Sequence, residues 1–286
     1  MMSELLVPFE YNYMIRAIWV SALVGGLCAF LSAYLMLKGW SLMGDALAHA
    51  VVPGVAVAYL LNLPYAAGAF FAGLIAALGM WGIKHVSKLK EDAVIGVVFT
   101  AFFAAGLLIV SIWPTSVSVQ TIVLGNILGI ADEDAMQVIL VAGVAFLILL
   151  VVWKDLMVVF FDESHARTIG LKPTLLKGLF FTLLSASAVT ALQTVGAALV
   201  IAMVITPGAT AYLLTDRFGQ LIGLSVAIGA TTSAVGTYIS YFLDGSTGGV
   251  IVTLQTLTFL TAFVFAPKHG VLAQRRRSQA GGDVAP

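Results

Sequence analysis

The sequence predicts an all-α protein, a polytopic transmembrane helical bundle of about eight spans within a range of seven to nine. Three observations support this fold class. The 286 residues are 60% hydrophobic and only 10% charged, whereas a soluble domain is about 25% charged. The mean hydropathy is +1.05, and the apolar runs reach the roughly 20 residues that a membrane-spanning helix needs. These runs are continuous rather than alternating, which argues against a β-barrel.

The spans lie between clusters of charged residues. Apolar runs with few or no charges cover residues 17–37, 39–83, 93–131, 135–153, 178–215, 218–243 and 245–267. The second run is long enough for two helices with a turn at "NLPY", residues 62–65, and the fifth holds two with a break near residues 193–196. Counting every run gives nine spans and an external N-terminus. A re-entrant or interfacial run would reduce the count to eight with an internal N-terminus, and we expect eight.

Basic residues fall in or beside alternate loops, and this alternation sets the predicted orientation. They are Lys84, Lys88, Lys90, Lys154, Arg167, Lys172, Lys177, Arg217, Lys268 and Arg275 to Arg277. The loops between them, at residues 114–134 and at Asp244, carry no lysine or arginine. By the positive-inside rule the basic loops and the C-terminus face the cytoplasm. We expect residues 1–270 to form one transmembrane domain and residues 271–286 a basic, disordered cytoplasmic tail.

Within the second run, Asp45 and His49 are the only ionisable residues. A charged residue at the centre of a membrane helix costs roughly 2.5–3.5 kcal/mol on insertion scales, so such residues are candidates for function. Their spacing of four places them on one face of a helix. A carboxylate with a neutral imidazole suits Mn²⁺, Fe²⁺ or Zn²⁺ better than Cu⁺. Pro53 and Gly54 follow, and we expect them to break the helix where it lines a cavity.

A second interpretation of Asp45 and His49 is a structural hydrogen bond that fixes helix packing. Two ligands are also too few for a closed metal site. If two copies of the chain met about a two-fold axis, the number of ligands would rise to four. The metal hypothesis therefore makes dimerisation part of the mechanism.

The polar stretch "FFDESHARTIGLKP", residues 160–173, is the longest between spans on the basic side. Asp162 and Glu163 are typical of a helix start, and Gly170 lies where a C-terminal cap would fall. The pattern predicts a short helix over about residues 162–169. It is either a solvated connector or a docking helix for a cytoplasmic partner.

Motifs of common enzyme classes do not occur in the sequence. There is no P-loop, no Gly-x-Ser-x-Gly elbow and no His-Glu-x-x-His, so we expect neither an ATP site nor a catalytic site. The single cysteine, Cys28, excludes an internal disulfide framework. We expect no permanently bound cofactor and no nucleic-acid partner.

Four blocks of the sequence resemble the membrane subunits of manganese/zinc/iron ABC transporters, with most likeness to enterobacterial manganese/iron permeases. The blocks are "LMLKGWSLMGDALAHAVVPGVAVAYLL", "KEDAVIGVVFTAFFAAGL", "FDESHARTIGL" and "TVGAALVIAMVITPGATAYLLT". The resemblance runs from about residue 5 to residue 270 and includes "STGGVIVTLQTLTFLTAFVFAPKHG". Ala48 is a departure, since the family often has serine there.

This resemblance implies a type II importer-like permease in a complex of two permeases, two cytoplasmic ATP-binding subunits and an extracytoplasmic metal-binding protein. Asp45 and His49 match the family's transmembrane metal-coordinating positions. The segment of Asp162, Glu163, Ala166 and Gly170 matches the coupling region that contacts the ATPase. The second permease is either another copy or a related chain, giving a homodimer or a heterodimer.

The function that we expect is that of a permease subunit for ATP-driven import of divalent Mn, Fe or Zn ions, with ATP hydrolysis in a separate subunit. The alternative is a secondary metal transporter driven by an ion gradient, because histidine titrates near neutral pH. The missing inverted repeat argues against that alternative. A third class is a membrane subunit that does not transport.

Overall fold

A computed structural model describes residues 4–40, 42–113, 127–267 and 270–273 of the chain. Its elements are a 3-10 helix at Glu4–Glu10 and the α-helices α1 (Asn12–Lys38), α2 (Met43–Leu60), α3 (Tyr65–Val86), α4 (Glu91–Ile112), α5 (Asp132–Phe161), α6 (Glu163–Thr168), α7 (Pro173–Val195), α8 (Ala197–Leu214), α9 (Phe218–Leu243) and α10 (Thr247–Phe265). Across these described ranges the regular structure is entirely helical, which confirms the predicted fold class.

Seven of these helices are long and apolar enough to cross a membrane, namely α1, α3, α4, α5, α7, α9 and α10. Two shorter apolar helices, Ala46–Leu60 and Val200–Leu214, lie within α2 and α8. The number of spans therefore falls in the predicted range of seven to nine. The end of the predicted tail, residues 274–286, lies outside the described residues.

Glycine, proline and asparagine end the helices where the sequence indicates. Asn62 takes a left-handed conformation with φ 53° between α2 and α3, and Pro64 precedes the first residue of α3. Gly196 separates α7 from α8 at φ 84°, a region that favours glycine. The predicted turn at residues 62–65 and the predicted break near 193–196 are both confirmed.

Helix α5 is longer than the span of residues 135–153 that the charge pattern predicts. It continues through Lys154 to Phe161, so Lys154 lies inside a helix rather than in a loop. Apolar side chains explain the extension, since Leu156, Val159 and Phe160 are buried in the core. At 1.5 Å per residue, the 30 residues of α5 exceed the roughly 30 Å of the hydrocarbon layer.

Helix α1 lies at the centre of the bundle and packs on α5, α7, α8 and α9. A β-carbon at Gly25 would lie 2.6 Å from the carbonyl oxygen of Gly229 in α9, so these two backbones approach closely. The hydroxyl of Ser32 donates to the carbonyl oxygen of Ile205 in α8 at 3.0 Å. The hydroxyl oxygen of Ser32 also accepts from the backbone N–H of Gly208 at 3.0 Å. Ser32 therefore supplies hydrogen bonds next to Pro207, which interrupts the α8 ladder.

The two ends of the bundle differ in charge. Lys38, Lys84, Glu163 and Lys177 line one cavity, which brings together the last residues of α1, α3 and α5 and the first turns of α7. We call this the basic end. At the opposite end Arg16 near the start of α1 forms an ion pair with Asp132 at the start of α5.

Candidate functional site

Helix α2 carries the two residues that the sequence selects as metal ligands. Asp45 and His49 both lie within this helix, so their spacing of four puts them on one face. The imidazole of His49 is half-buried and packs edge-to-face against two rings of α4. Its centroid lies 5.2 Å from that of Phe99 and 5.5 Å from that of Phe103. The side chain of Asp45 lies outside the described residues, so its approach to the imidazole stays a prediction.

His49 lies nearer the basic end of the bundle than the opposite end. It is the seventh residue of α2, and a rise of 1.5 Å per residue places it about 9 Å along the helix. The two aromatic rings beside it are stacked with centroids 6.0 Å apart. The imidazole therefore packs against an apolar aromatic wall on the α4 side.

The helix does not break at Pro53 and Gly54, so this expectation was wrong. Helix α2 continues to Leu60 with Pro53 inside it. Close packing on two sides accounts for the continuity. A β-carbon at Gly106 of α4 would lie 2.9 Å from the nitrogen of Pro53, and one at Gly54 would lie 2.6 Å from the β-carbon of Ala72 in α3. Tertiary contacts thus hold a helix that the proline alone would disrupt.

One chain offers few metal ligands in its described part. Across the described residues, no group of three or more histidine, cysteine, aspartate or glutamate side chains could hold a metal ion. A closed site for a divalent transition metal has about four ligands.

The second predicted region forms helix α6, close to the expected bounds of 162–169. Asp162 caps it, because its Oδ1 accepts from the N–H groups of Ser164 at 2.9 Å and His165 at 3.0 Å. Ala166 is completely buried, and its carbonyl accepts from the N–H of Leu171 at 3.0 Å. Gly170 ends the segment at φ 86°, a conformation that glycine adopts without strain.

Glu163 ties α6 to α7. Its carboxylate forms an ion pair with Lys177 of α7 and accepts from Arg167 at 2.8 Å. Hydrogen bonds from Lys177, and then from Arg167, hold the pKa of Glu163 below its ordinary value. His165 and Arg167 remain exposed. The segment thus has one side fixed to the bundle and one side open to a partner.

Aromatic packing around Trp40 links the two regions, and the sequence analysis did not identify it. Trp40 lies between α1 and α2, with its ring 5.6 Å from that of Phe160 in α5 and 5.8 Å from that of Phe181 in α7. It lines a small cleft with Met43, the first residue of α2, and also the cavity beside Glu163. The aromatic residues at the ends of the apolar runs were the only feature of the sequence that pointed to this packing. Their contact depends on the three-dimensional packing.

Comparisons with known proteins identify close relatives. A model of the ABC 3 transport family matches residues 10–266. The chain is 69% identical over 279 residues to the chelated iron transport system membrane protein YfeC of Yersinia pestis, covering 98% of this chain and 95% of that protein. It is 48% identical over 280 residues to the manganese transport system membrane protein MntB of Synechocystis, covering 97% and 90%. Among solved structures, PsaBC from Streptococcus pneumoniae in complex with Fab aligns with a TM-score of 0.84 and 34% identity, over 96% of this chain and 100% of that one.

Proposed function

This chain belongs to the ABC 3 transport family, and we propose that it forms the membrane path of an ATP-driven importer of divalent Mn, Fe or Zn ions. The observation that carries the proposal is the half-buried imidazole of His49 within an apolar helix, one turn after Asp45. An ionisable pair within a membrane helix costs free energy, and binding of the transported cation would explain why this chain has one. Relatives named for iron and manganese transport support this class of ion.

Family membership makes the chain a membrane subunit and not an enzyme. Partners that bind ATP and the transported substrate follow from the same membership. We place the basic end and the C-terminus in the cytoplasm of the bacterial inner membrane, because lysine and arginine favour that side. The extracytoplasmic metal-binding protein then docks at the opposite end, near Asp132.

The ion path needs a second permease, either another copy or a related chain. Asp45 and His49 from both subunits would supply four ligands, the number that a divalent transition metal takes in a tetrahedral site. The ion is substrate and must leave again, which suits ligands shared between two moving subunits. A ligand shifts a conformational equilibrium only through its different affinity for the two states, so separation of the subunits would release the ion.

Helix α6 is proposed to transmit the conformational change of the ATP-binding subunit to the bundle. Asp162 caps the helix, Glu163 and the buried Ala166 fix it to the bundle, and Gly170 permits the turn out of it. A displacement of α6 would reach α2 through Trp40, which contacts Phe160 at the end of α5. The site and the coupling helix are then connected by packed side chains.

The transport proposal is tested by metal uptake into proteoliposomes that contain this chain and its partner subunits. Asp45→Asn and His49→Gln should each abolish ATP-dependent uptake. Asp244→Asn is the matched control, because asparagine tolerates the left-handed φ of 47° at that turn, and it should leave uptake intact. Uptake by this chain alone under a pH gradient would instead establish a secondary transporter and refute the proposal.

The coupling role has its own test. Gly170→Arg should spare membrane insertion and prevent capture of the ATP-binding subunit in a pull-down. Gly170→Ala introduces the same backbone strain at this positive φ without the large side chain, and it should retain most of the binding to the ATP-binding subunit. Undiminished capture by the arginine variant would refute the role of this segment.

A further inference from the structure

A charged cavity of about 340 Å³ lies at the basic end beside α6. Among the described residues, three lysines and one glutamate line it, together with aromatic residues that include two tryptophans: Lys38, Lys84, Lys177, Glu163, Trp40 and Trp81. These side chains come from the end of α1, the end of α3 and the α6–α7 region. The transport proposal does not use Lys38 or Lys84.

The charges of the cavity favour an anion. Three ammonium groups face one carboxylate, and that carboxylate already binds Lys177 and Arg167. Lys84 donates to the carbonyl oxygen of Leu89 at 3.0 Å. The side chain of Lys38 is exposed. The lining therefore retains a surplus of positive charge next to the coupling helix.

The position of the cavity corresponds to the headgroup layer of a bilayer. Lys38 is the last residue of α1, and Lys84 lies in the last turn of α3. Trp40 and Trp81 are half-buried beside them, and tryptophan is enriched at the level of lipid headgroups. Lysines at helix ends extend towards that level.

An apolar cleft of about 40 Å³ adjoins the charged cavity. It shares Trp40, Trp81 and Lys84 with the cavity and continues to Met43 and Met80. A free phosphate would use only the charged part of this surface. A ligand with a phosphate and an attached hydrocarbon would use both parts.

We propose that this cavity binds the phosphate headgroup of an anionic phospholipid of the surrounding bilayer. The phosphate lies among Lys38, Lys84 and Lys177, and the first carbons of the lipid lie against the two tryptophans. Basic pockets between membrane helices on the cytoplasmic side bind such headgroups through charge attraction. The lipid then bridges α1 and α3 to the segment that carries Glu163.

Native mass spectrometry of the full-length chain in detergent tests this proposal without any partner subunit. The chain is titrated with phosphatidylglycerol and, separately, with phosphatidylcholine of the same acyl chains. We expect preferential binding of phosphatidylglycerol. Each lysine near a headgroup contributes roughly a fivefold increase in affinity, so Lys38→Gln with Lys84→Gln should reduce that preference about 25-fold. Lys38→Arg with Lys84→Arg should retain it.

Lys88→Gln with Lys90→Gln is the matched control, because both lysines are exposed at the same end and outside the cavity lining. It makes the same change in charge and should leave the preference unchanged. Equal binding of the two lipids, or an equal loss in the control, would overturn the proposal. Full displacement of the lipid by inorganic phosphate would indicate an anion site instead. If the cavity variants weaken capture of the ATP-binding subunit while lipid binding stays constant, a protein occupies the cavity and the lipid proposal fails.

Discussion

The contact of α2 with α3 at Gly54 tests how the bundle positions His49. A β-carbon at Gly54 would lie 2.6 Å from that of Ala72 and 2.7 Å from the carbonyl carbon of Gly68. The closest approach would be to the carbonyl oxygen of Gly68, and ordinary contact begins at 3.4 Å, so Gly54→Ala requires the two helices to separate by more than 0.8 Å. Adding a methyl group to a packed interior costs about 1–3 kcal/mol, and the higher helix propensity of alanine offsets up to about 1 kcal/mol.

We expect Gly54→Ala to lower the free energy of unfolding by about 1–2 kcal/mol and to reduce metal uptake, because α2 carries His49. Both quantities are measured on the purified complex, by denaturant unfolding in detergent and by uptake into proteoliposomes. Gly79→Ala in α3 is the control, since a β-carbon there meets nothing within 4 Å. If the two variants match in stability and in uptake, the close contact does not position α2 and the reasoning fails.

Three further predictions concern polar groups elsewhere in the bundle. Both polar side-chain atoms of Gln255 are buried without a hydrogen-bond partner among the described residues. Gln255→Leu should therefore raise the free energy of unfolding by about 1–3 kcal/mol. A variant that is less stable than the original protein would mean that the amide has a partner. Ser32→Ala leaves the N–H of Gly208 without its side-chain acceptor, and the same unfolding measurement should show a loss of about 1–3 kcal/mol. The ion pairs of Glu163 lower its pKa. They therefore stabilise the fold fully when the pH is above the ordinary glutamate pKa, and this stabilisation is lost as the pH falls through the lowered pKa. Glu163→Gln should therefore destabilise the protein at pH 7 by up to about 1 kcal/mol, and this loss should shrink as the pH falls below the ordinary glutamate pKa. A loss that keeps the same size throughout an acid titration would contradict the ion-pair account.

The sequence predicts the parts of this fold that depend on local chemistry. The turn at Asn62 and the break at Gly196 follow from residues that interrupt helices, and the short helix before Gly170 follows from its caps. The family resemblance drawn from the sequence blocks is also confirmed. These features need no knowledge of what packs against the segment.

Features that depend on packing could not be predicted from the sequence. Lys154 indicates a loop, yet α5 continues because apolar side chains beyond it are buried. Pro53 indicates a break, yet α2 is continuous because Gly106 and Gly54 let the neighbouring helices pack closely against it. The pairing of Glu163 with Lys177 spans 14 residues, a separation that no helical period specifies.

The hydrogen bonds of Ser32 have a consequence for biogenesis. Their partners in α8 lie 173 and 176 residues further along the chain. During translation α1 therefore enters the bilayer well before the ribosome has made the segments that satisfy it. Contacts so distant in sequence form slowly. A nascent chain stopped before α8 would keep its first helix incompletely packed in lipid, exposed to membrane proteases.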